Sequence, residues 1–464
     1  MTDRQVFIGG GGLRNYLTPK KNKYIPLVEL PGELNPYLKS HNIHLSAKLM
    51  NTLPLMNVKS IPAHGLISSV NARNKTIVES SSGNTVFSMG ILAKYFGAKD
   101  VMAIASPEVS SDKLNLLRLA NIKVRLVDGP ICPDANDPDS SISVARRLGQ
   151  RSDWCNPGQY DNDANPLSHE NITGPQLYDQ LGDKLGMFVA GLGTTGSLVG
   201  VSRYLKSRLF DIKTSGVMRA PNNKVPGVRT KNGLKEVEYS WGEQLTEPPV
   251  VVDEYDSYEA SLQLIRAGLL VGPSSGFAYK GAMMAIERLI SEGRSSELYG
   301  KHVVFICPDS CFAYIDEYFE VLGGKLFPEI DDQSSLGRHN VDSSANGVPL
   351  VSVDELYSNI VNGSGGGYQL IDVREQSEFE DHHIKGSLRV DFMDMPSWLK
   401  SEASPGNRYL FICSRSARSL RAADMTIKAG FEAFVLDGGT SRWSSKGYDR
   451  ERPKQCDTAP ISSN

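Results

Sequence analysis

Short apolar runs alternate with amphipathic stretches along most of this 464-residue chain, and this alternation restricts its fold more than any other feature. Strands that are apolar along their length are typical of parallel sheets covered by helices on both faces. The sequence therefore predicts α/β architecture with mainly parallel sheets. The predicted strands of the first block are Val101–Ala105, Val124–Val127, Met187–Ala190 and Val303–Ile306, and the predicted helices are Val86–Phe96, Lys113–Ala120, Leu198–Lys206 and Tyr258–Ala267.

A polar segment over residues 329–349 divides the chain into two blocks. It is rich in Ser, Asp, Asn and Gly and shows no periodicity, which is typical of a linker. A chain of this length exceeds the size of a single core, so we predict a first domain over 1–328 and a second, smaller α/β domain over 350–464. The second block has predicted strands Gln369–Asp372, Tyr409–Ile412 and Ala433–Leu436 and a predicted helix Ser416–Ala429.

Composition argues against several classes of protein. The formal net charge of -3 gives no electrostatic reason to expect a nucleic-acid or membrane partner. Met1–Gly12 lacks the basic and apolar runs of a secretory signal, and no apolar run is long enough to cross a bilayer, so we expect a cytoplasmic protein. The six cysteines are scattered, and the pair Cys307 and Cys311 has no second pair beside it, so we expect reduced thiols and no metal site.

Two polar, glycine-containing segments each precede a predicted helix. The first is Ser80–Thr85, which reads SSSGNT, and the second is Gly191–Ser197, which reads GLGTTGS and follows a predicted strand. Hydroxyl and backbone N–H groups at a helix start can hold a carboxylate or a phosphate. Each segment alone is equally consistent with ordinary helix capping.

The order of the motifs is more specific than any one of them. The chain reads Val58-Lys59, SSSGNT, Gln159 to Pro166 with His169, GLGTTGS, Val225 to Arg229 (VPGVR), Val271 to Gly276 (VGPSSG) and Cys307 to Ser310 (CPDS). This order resembles the cysteine synthase family, which are fold type II pyridoxal-phosphate enzymes, over most of residues 24–319. The GTTGS form is most similar to the B-type cysteine synthases. The resemblance implies pyridoxal phosphate as cofactor and a homodimer.

The resemblance also implies roles for individual residues. Lys59 matches the lysine that forms a Schiff base with the cofactor and later moves the substrate α-proton, which requires an amine of lowered pKa. Asn84 matches the residue that bonds the cofactor's 3′-oxygen, and Ser274 or Ser275 matches the hydroxyl that faces the pyridine nitrogen. The residues that match the phosphate loop are Gly193, Thr194, Thr195, Gly196 and Ser197, and those that match the substrate carboxylate site are Ser81, Ser82, Thr85 and Gln159.

The segment before Lys59 departs from the family pattern, and the role of Arg229 is open between two alternatives. The family usually has Asn-Pro-Gly-Gly-Ser before Val-Lys, whereas this chain has Leu53-Pro-Leu-Met-Asn57, so we expect the larger side chains to reshape the pocket. Arg229 is expected either to meet a phosphate or carboxylate of the substrate or to be a solvated surface charge.

The second block contains a different constellation. It includes Leu370 to Glu375 (LIDVRE), Glu378 and Cys413 to Ser419 (CSRSARS). A cysteine that ends a strand and opens a helix is surrounded by backbone N–H groups that stabilise a thiolate or persulfide, and Arg415 and Arg418 add positive potential.

This block resembles a rhodanese domain from about Leu350 to Tyr448. The resemblance implies that Cys413 carries the sulfur and Arg418 is the loop arginine, while Asp372 and Arg374 belong to a structural signature. Ser416 stands where relatives usually have glycine.

The two resemblances together imply a function. We expect β-replacement on an O-activated serine, O-acetylserine or O-phosphoserine, with a sulfur nucleophile that the rhodanese-like domain delivers as persulfide. The expected partners are therefore a small amino-acid substrate and a sulfur donor. The alternatives are β-elimination from cysteine that passes sulfur to Cys413, synthesis of a non-sulfur β-substituted alanine, and a catalytically weak cofactor-binding module on a persulfide carrier.

Overall fold

The apolar runs form the strands of parallel sheets in the computed structural model of the chain, which describes residues 6–22, 25–128, 137–221, 223, 225–329, 348–361, 363 and 365–451. The chain divides into two units, Met1–Phe327 and Pro328–Asn464. Residues 330–347 of the predicted linker lie outside the described residues, so the domain boundaries that we derived from it stay a prediction.

The described strands of the first unit are β1 (Leu27–Glu29), β2 (His44–Leu49), β3 (Thr76–Ser80), β4 (Asp100–Ala105), β5 (Lys123–Leu126), β6 (Trp154–Cys155), β7 (Leu185–Gly191), β8 (Lys213–Arg219), β9 (Val250–Val252) and β10 (His302–Cys307). Its described helices are α1 (Gly12–Leu17), α2 (Tyr37–His41), α3 (Ser60–Ser69), α4 (Asn84–Ala93), α5 (Ser111–Leu119), α6 (Ser141–Gly149), α7 (Ala164–Asn171), α8 (Thr173–Leu181), α9 (Gly196–Lys206), α10 (Glu254–Arg266), α11 (Pro273–Ser291) and α12 (Ile315–Leu322).

These strands form two sheets. The larger has the order β1-β2-β10-β7-β8-β9, in which β1 pairs antiparallel with β2 and the other neighbours are parallel. The smaller has the order β5-β4-β3-β6 and is parallel. In β10, Val303 and Phe305 belong to one core cluster, while Val304 and Ile306 belong to another. Both faces of the larger sheet are therefore covered, which explains why its central strands β7 and β10 are almost entirely apolar.

The strands that precede the sequence motifs all end at the same edge of their sheets. The SSSGNT motif begins at the last residue of β3, the GLGTTGS motif at the last residue of β7, and the CPDS motif at the last residue of β10. Ligands of open α/β sheets bind at this carboxyl edge. The fold therefore brings the motifs together where a ligand is expected.

The second unit contains one sheet of described strands with the order β11-β15-β14-β12-β13, and all neighbours are parallel. Its strands are β11 (Leu350–Val351), β12 (Tyr368–Asp372), β13 (Leu388–Arg389), β14 (Arg408–Ile412) and β15 (Glu432–Leu436), and its helices are α13 (Val353–Val361), α14 (Gln376–Asp381), α15 (Met395–Ser401), α16 (Ala417–Lys428) and α17 (Gly439–Ser445). Among the described residues of the whole chain, no helix combines the length and apolar character needed to span a membrane.

Most predicted elements differ from the observed ones only at their ends. The largest shift is at the predicted helix Tyr258–Ala267, because α10 begins four residues earlier, at Glu254. The predicted helix Val86–Phe96 ends early, because α4 spans Asn84–Ala93 and Lys94–Phe96 form a 3-10 turn. Gly97 ends that turn with a φ of 72°, a left-handed conformation that glycine adopts readily.

Candidate active site

A cavity of about 390 Å³ lies in the first unit, a size typical of small-molecule sites. It brings together side chains that are far apart in the sequence. The predicted site residues that line it are Lys59, Ser81, Ser82, Asn84, Thr85, Gln159, Gly193, Thr194, Ser197, Arg229 and Ser274. Thr195, Gly196 and Ser275 are buried but are not part of the lining.

Lys59 immediately precedes α3 and is held by a backbone contact to the motif after β10. The Val58 backbone N–H donates to the Pro308 carbonyl oxygen at 2.7 Å. Within the described part of the chain, Lys59 Nζ has no hydrogen-bond or ion-pair partner. Burial lowers the pKa of the Lys59 ammonium, and the charge of nearby Asp309 opposes this effect. The amine is therefore easier to deprotonate than an exposed lysine.

The large side chains before Lys59 do not enter the cavity lining. Met56 is 48% exposed, and Leu55 packs against the core that contains α3 and α4. Met56 has a φ of 54°, a left-handed conformation at a position where the resembling family usually has glycine. These larger residues therefore lie outside the cavity lining, and their effect on the shape of the pocket stays a prediction.

The SSSGNT segment and Gln159 form one hydrogen-bonded group on the cavity wall. Thr85 Oγ1 donates to Gln159 Oε1 at 2.8 Å, and Gln159 Nε2 donates to the Ser80 carbonyl oxygen at 2.7 Å. These bonds fix the amide of Gln159 against the start of α4. The Ser81 and Ser82 hydroxyls lie in the same wall, so the group can accept an anionic ligand such as a carboxylate.

The GLGTTGS loop leaves no room for side chains at two of its glycines. A Cβ atom added at Gly193 would lie 2.1 Å from the Gly227 carbonyl oxygen, and one added at Gly196 would lie 2.0 Å from Asn165 Oδ1. Thr195 has a φ of 63°, and its Oγ1 is buried without a hydrogen-bond partner among the described residues. A buried hydroxyl without a partner is costly, so a ligand that supplies one is expected here.

His169 supports the end of this loop. Its Nε2 lies 3.1 Å from Ser197 Oγ, and its Nδ1 lies 2.9 Å from Thr173 Oγ1. Burial, with a smaller contribution from the charge of Lys59, lowers the pKa of His169 to about 3. The ring is therefore neutral at physiological pH and orients the Ser197 hydroxyl as a fixed hydrogen-bond partner.

The structure distinguishes the two candidate serines at the start of α11. Ser274 lines the cavity, and its Oγ lies 3.4 Å from Asp309 Oδ1. Ser275 is fully buried beside the Cys307 thiol. Burial raises the pKa of this thiol, and the contact with Ser275 lowers it. Only Ser274 is thus placed to meet a ligand.

Asp309 is a cavity residue that the sequence motifs did not single out. Its Oδ2 accepts hydrogen bonds from Asn84 Nδ2 at 2.7 Å and from Tyr314 OH at 2.6 Å. Burial raises the pKa of its carboxyl, although the bonds from Tyr314, Asn84 and Ser274 lower it. Its position two residues after β10, a buried strand that ends at the ligand-binding edge, was the signal that could have identified it.

Arg229 is a buried part of the cavity wall. It is 4% exposed, its guanidinium carbon lies 4.9 Å from the centre of the Tyr160 ring, and its Nη1 donates to the Gly233 carbonyl oxygen at 2.8 Å. It forms no ion pair with a described carboxylate. Of the two expectations for Arg229, the solvated surface charge is therefore wrong, and a buried cation that faces the cavity remains.

Cys413 lies directly after β14 in the second unit, in the loop that leads into α16. Its side chain is 1% exposed, and its Sγ lies 3.4 Å from Ser419 Oγ. Ser416 has a φ of 76°, which explains why relatives usually have glycine there. Its Oγ donates to the Leu436 carbonyl oxygen at 3.1 Å and accepts from the Gly438 N–H at 2.9 Å, so the serine is held in this conformation.

The loop arginine, Arg418, is bound to Glu378 of α14 and to Ser414 of its own loop. Arg418 forms two hydrogen bonds to Glu378, at 2.6 and 2.7 Å, and a third to Ser414 Oγ at 3.2 Å. The hydrogen bond from Arg418 is the main cause that lowers the pKa of Glu378 to about 2. Arg415 is exposed. The sequence motif included Glu378, but its pairing with Arg418 depends on the fold.

Asp372 and Arg374, the signature residues of this unit, form a buried ion pair. Arg374 Nη2 lies 2.7 Å from Asp372 Oδ2, and it also donates to the His382 carbonyl oxygen at 2.7 Å. Both side chains are almost completely buried. The pair therefore fixes the chain after β12 and is not placed to contact a substrate.

Comparison with known proteins gives two family matches. Residues 22–309 match the family described as "Pyridoxal-phosphate dependent enzyme". Residues 352–446 match the "Rhodanese-like domain". The first match covers more than half of the chain and includes every cavity residue from Lys59 to Asp309.

Individual relatives are more distant. The chain is 27% identical over 259 residues to a cystathionine beta-synthase of Dictyostelium discoideum, a match that covers 53% of this chain and 50% of the relative. It is 25% identical over 243 residues to cysteine synthase B of Escherichia coli, a match that covers 51% of this chain and 78% of the relative. The chain thus spans about half the length of the first of these relatives.

A solved structure shares the fold. The O-acetylserine dependent cystathionine beta-synthase from Helicobacter pylori matches with a TM-score of 0.53 and 23% identity, covering 64% of this chain and 97% of that chain.

Proposed function

The chain belongs to the family of pyridoxal-phosphate dependent enzymes and carries a C-terminal rhodanese-like domain, and from this premise we propose that it replaces the β-substituent of an O-activated serine with a sulfur nucleophile. The product is cysteine or a related β-substituted alanine. One observation carries the proposal: an unpartnered, desolvated lysine, a glycine loop and a hydroxyl-rich carboxylate site line a single cavity.

The cavity residues fit pyridoxal phosphate, the cofactor of this family. The GLGTTGS loop would hold the phosphate, and the buried Thr195 hydroxyl, which has no described partner, would gain one there. Asn84 would contact the 3′-oxygen, and the uncharged hydroxyl of Ser274 would face the pyridine nitrogen. Lys59 would hold the cofactor covalently.

The chemistry that pyridoxal phosphate supplies when bound is an electron sink at the substrate α-carbon. The side chains of the chain do the rest. Ser81, Ser82 and Thr85 bind and orient the substrate carboxylate. Because burial lowers the pKa of Lys59, its amine can remove the α-proton as a general base. A neutral partner at the pyridine nitrogen favours loss of the β-substituent over transamination.

The surroundings of Arg229 favour a substrate that carries an anionic group. Its guanidinium is buried in the cavity wall and pairs with no described carboxylate. A phosphate or carboxylate bound there would form a charge-assisted hydrogen bond in a desolvated site. O-phosphoserine is therefore the activated serine that this site supports best.

To test β-replacement, the purified protein loaded with cofactor is given O-phosphoserine or O-acetylserine with sulfide, and amino-acid products are identified by mass spectrometry. We expect cysteine, with O-phosphoserine as the better donor. Thiol nucleophiles in place of sulfide test for cystathionine and other β-substituted alanines. Release of sulfide from cysteine alone, without product from either serine, would contradict β-replacement and support β-elimination.

In our proposal, the rhodanese-like domain supplies the sulfur nucleophile. In the proposed relay, Cys413 takes sulfane sulfur from thiosulfate, which leaves as sulfite, and the resulting persulfide reacts with two thiol molecules. This yields the Cys413 thiol, one disulfide and hydrogen sulfide, which the first domain uses.

The relay is tested with thiosulfate and a thiol reductant as the only sulfur source. We expect Cys413→Ala to lose cysteine formation from thiosulfate but to keep it from free sulfide. Cys155→Ala, which removes a buried thiol of the first unit, is the matched control and retains both activities. Equal rates from thiosulfate in wild type and Cys413→Ala would rule out the relay.

A further inference from the structure

Three side chains of metal-binding type lie together on the larger sheet, outside the cavity. Glu29 is the last residue of β1, and His44 and His302 are the first residues of β2 and β10. Strand pairing sets His302 opposite His44 and Glu29 opposite Ser46. Ser46 is two residues from His44, so all of these side chains point to the same face of the sheet.

The ligand-type atoms of this group, which we call the β1-β2-β10 cluster, converge. One such atom from each of Glu29, His44 and His302 lies within 4.8 Å of the other two. His44 Nδ1 is 2.6 Å from Glu29 Oε1, and the two imidazole rings stack with their centres 4.8 Å apart. Tetrahedral zinc with bonds of about 2.0–2.1 Å needs ligand atoms about 3.3 Å apart. The side chains must therefore move by about an ångström, and the stacked rings must turn toward a common centre, for all three to bind one ion.

A second contact prepares one of the imidazoles for coordination. Ser46 Oγ lies 2.9 Å from His302 Nδ1, which leaves His302 Nε2 for a metal ion. Hydrogen bonds of this kind fix the tautomer of metal-binding histidines in proteins.

We propose that Glu29, His44 and His302 form a binding site for a divalent transition-metal ion, of which zinc fits best. Two imidazoles and one carboxylate are a common zinc ligand set, with water as the fourth ligand. The half-exposed Glu29 and the partly exposed His44 leave the site open to an ion from solvent. The strands hold the three backbone positions in fixed register.

The site is structural and not catalytic. β10 runs from His302 to Cys307, so the cluster and the catalytic cavity lie at opposite ends of the same strand, about 16 Å apart at 3.3 Å per residue. β1 is a three-residue strand at the edge of the sheet and pairs with β2 alone among the described strands. A metal ion shared by β1, β2 and β10 fastens this short edge strand to the core.

The proposal is tested on the full-length protein, without an affinity tag and with its cofactor bound. Zinc is titrated by calorimetry, and its environment is read by X-ray absorption. We expect one zinc ion per chain with nitrogen and oxygen ligands only, without the sulfur ligand at about 2.3 Å that a cysteine site would show. Zinc is also expected to raise Tm.

Variants separate this site from others. His302→Asn and His44→Asn are expected to abolish the zinc binding, and Ser46→Ala to weaken it about tenfold. His41→Asn, which alters a partly exposed histidine outside the cluster, is the matched control and binds as wild type. Glu29→Gln, which keeps the side-chain volume at an exposed position, is expected to fold normally and bind zinc weakly. Absence of stoichiometric zinc in wild type, or unchanged binding in both Glu29→Gln and His302→Asn, would overturn the proposal.

Discussion

Lys59 and Cys413 are the reactive side chains of the two units, and their surroundings differ in how the nearby polar groups are satisfied. Around Lys59, the amine and the Thr195 hydroxyl have no hydrogen-bond partner among the described residues, and the Arg229 guanidinium donates to a backbone carbonyl oxygen but pairs with no described carboxylate. Around Cys413, the thiol contacts Ser419, and Arg418 is bound to Glu378 and Ser414.

This difference indicates the size of the expected ligand at each site. Unsatisfied buried groups are costly, so a site that contains several of them is built for a large ligand that satisfies them. A loop whose polar groups satisfy one another requires no such ligand and suits a single sulfur atom on Cys413. The first site therefore depends on its cofactor, and the second does not.

The largest effect is expected at Arg229, the unpaired cation of the first site. Arg229→Gln is expected to lower kcat/KM for O-phosphoserine about 10- to 100-fold, or about 1.4–2.8 kcal/mol, because a charge-assisted hydrogen bond to phosphate is lost. For O-acetylserine, we expect a change of less than about threefold. Steady-state kinetics with both donors measure this, and an equal loss for both would show that Arg229 has only a structural role.

A smaller effect is expected at Thr195. Thr195→Ala is expected to weaken cofactor binding about tenfold, or about 1.4 kcal/mol, because this hydroxyl has no partner among the described residues and would gain one from the ligand. The same change leaves the stability of the cofactor-free protein almost unaltered. Cofactor release and unfolding are measured beside Thr195→Ser, which keeps the hydroxyl. Destabilisation of the cofactor-free Ala variant would mean that the hydroxyl is already satisfied.

A substitution at Glu378 tests whether Arg418 of the second site is neutralised within the protein. Glu378→Gln removes the charge that neutralises Arg418, so we expect the KM for thiosulfate to fall about three- to tenfold through stronger attraction of the anion. Because the pKa of Glu378 is about 2, this difference between variant and wild type is expected to stay constant from about pH 5 to pH 9. A cyanide-coupled sulfur-transfer assay measures it. An unchanged KM would show that Arg418 does not face the donor.

Glu79 is expected to give the smallest functional effect, but a clear dependence of stability on pH. Its buried carboxyl accepts hydrogen bonds from the Ser80 and Gly158 N–H groups, and burial raises its pKa from 4.5 to about 8. The unfolded chain loses this proton first, so the free energy of unfolding falls as pH rises from about 4.5 to about 8 and then levels off.

Glu79→Gln has no proton to lose, so its stability relative to wild type is expected to increase across that pH range. The gain is on the order of a few kcal/mol, which thermal unfolding at several pH values will detect. A Tm difference that does not change between pH 5 and pH 8 would contradict a raised pKa.

The sequence predicted the parts of the molecule that depend on local pattern. Strands such as β7 and β10 were predictable because both faces are buried, and Cys413 was singled out because its motif follows a predicted strand. Lys59 was singled out only through the resemblance of the ordered motifs to a known family. The conformation of Met56 was not predictable, because a left-handed φ depends on the path of the chain and not on the residue type.

Pairings between distant segments were beyond sequence reasoning. The contact of Asp309 with Asn84 joins residues 225 positions apart, and that of Arg418 with Glu378 joins residues 40 positions apart. The β1-β2-β10 cluster was missed for the same reason: its histidines have no metal-site spacing in the sequence and meet only through the pairing of β2 with β10.

The central claim is that Lys59 holds pyridoxal phosphate covalently, and borohydride reduction followed by peptide mass spectrometry tests it most directly. We predict that reduction fixes the cofactor on the peptide that contains Lys59. Lys113 provides an internal comparison, because it also lines the cavity but forms an ion pair with Glu317 at 2.7 Å. Label on Lys113 or another lysine, or an unchanged Schiff-base absorption band in Lys59→Ala, would contradict the account.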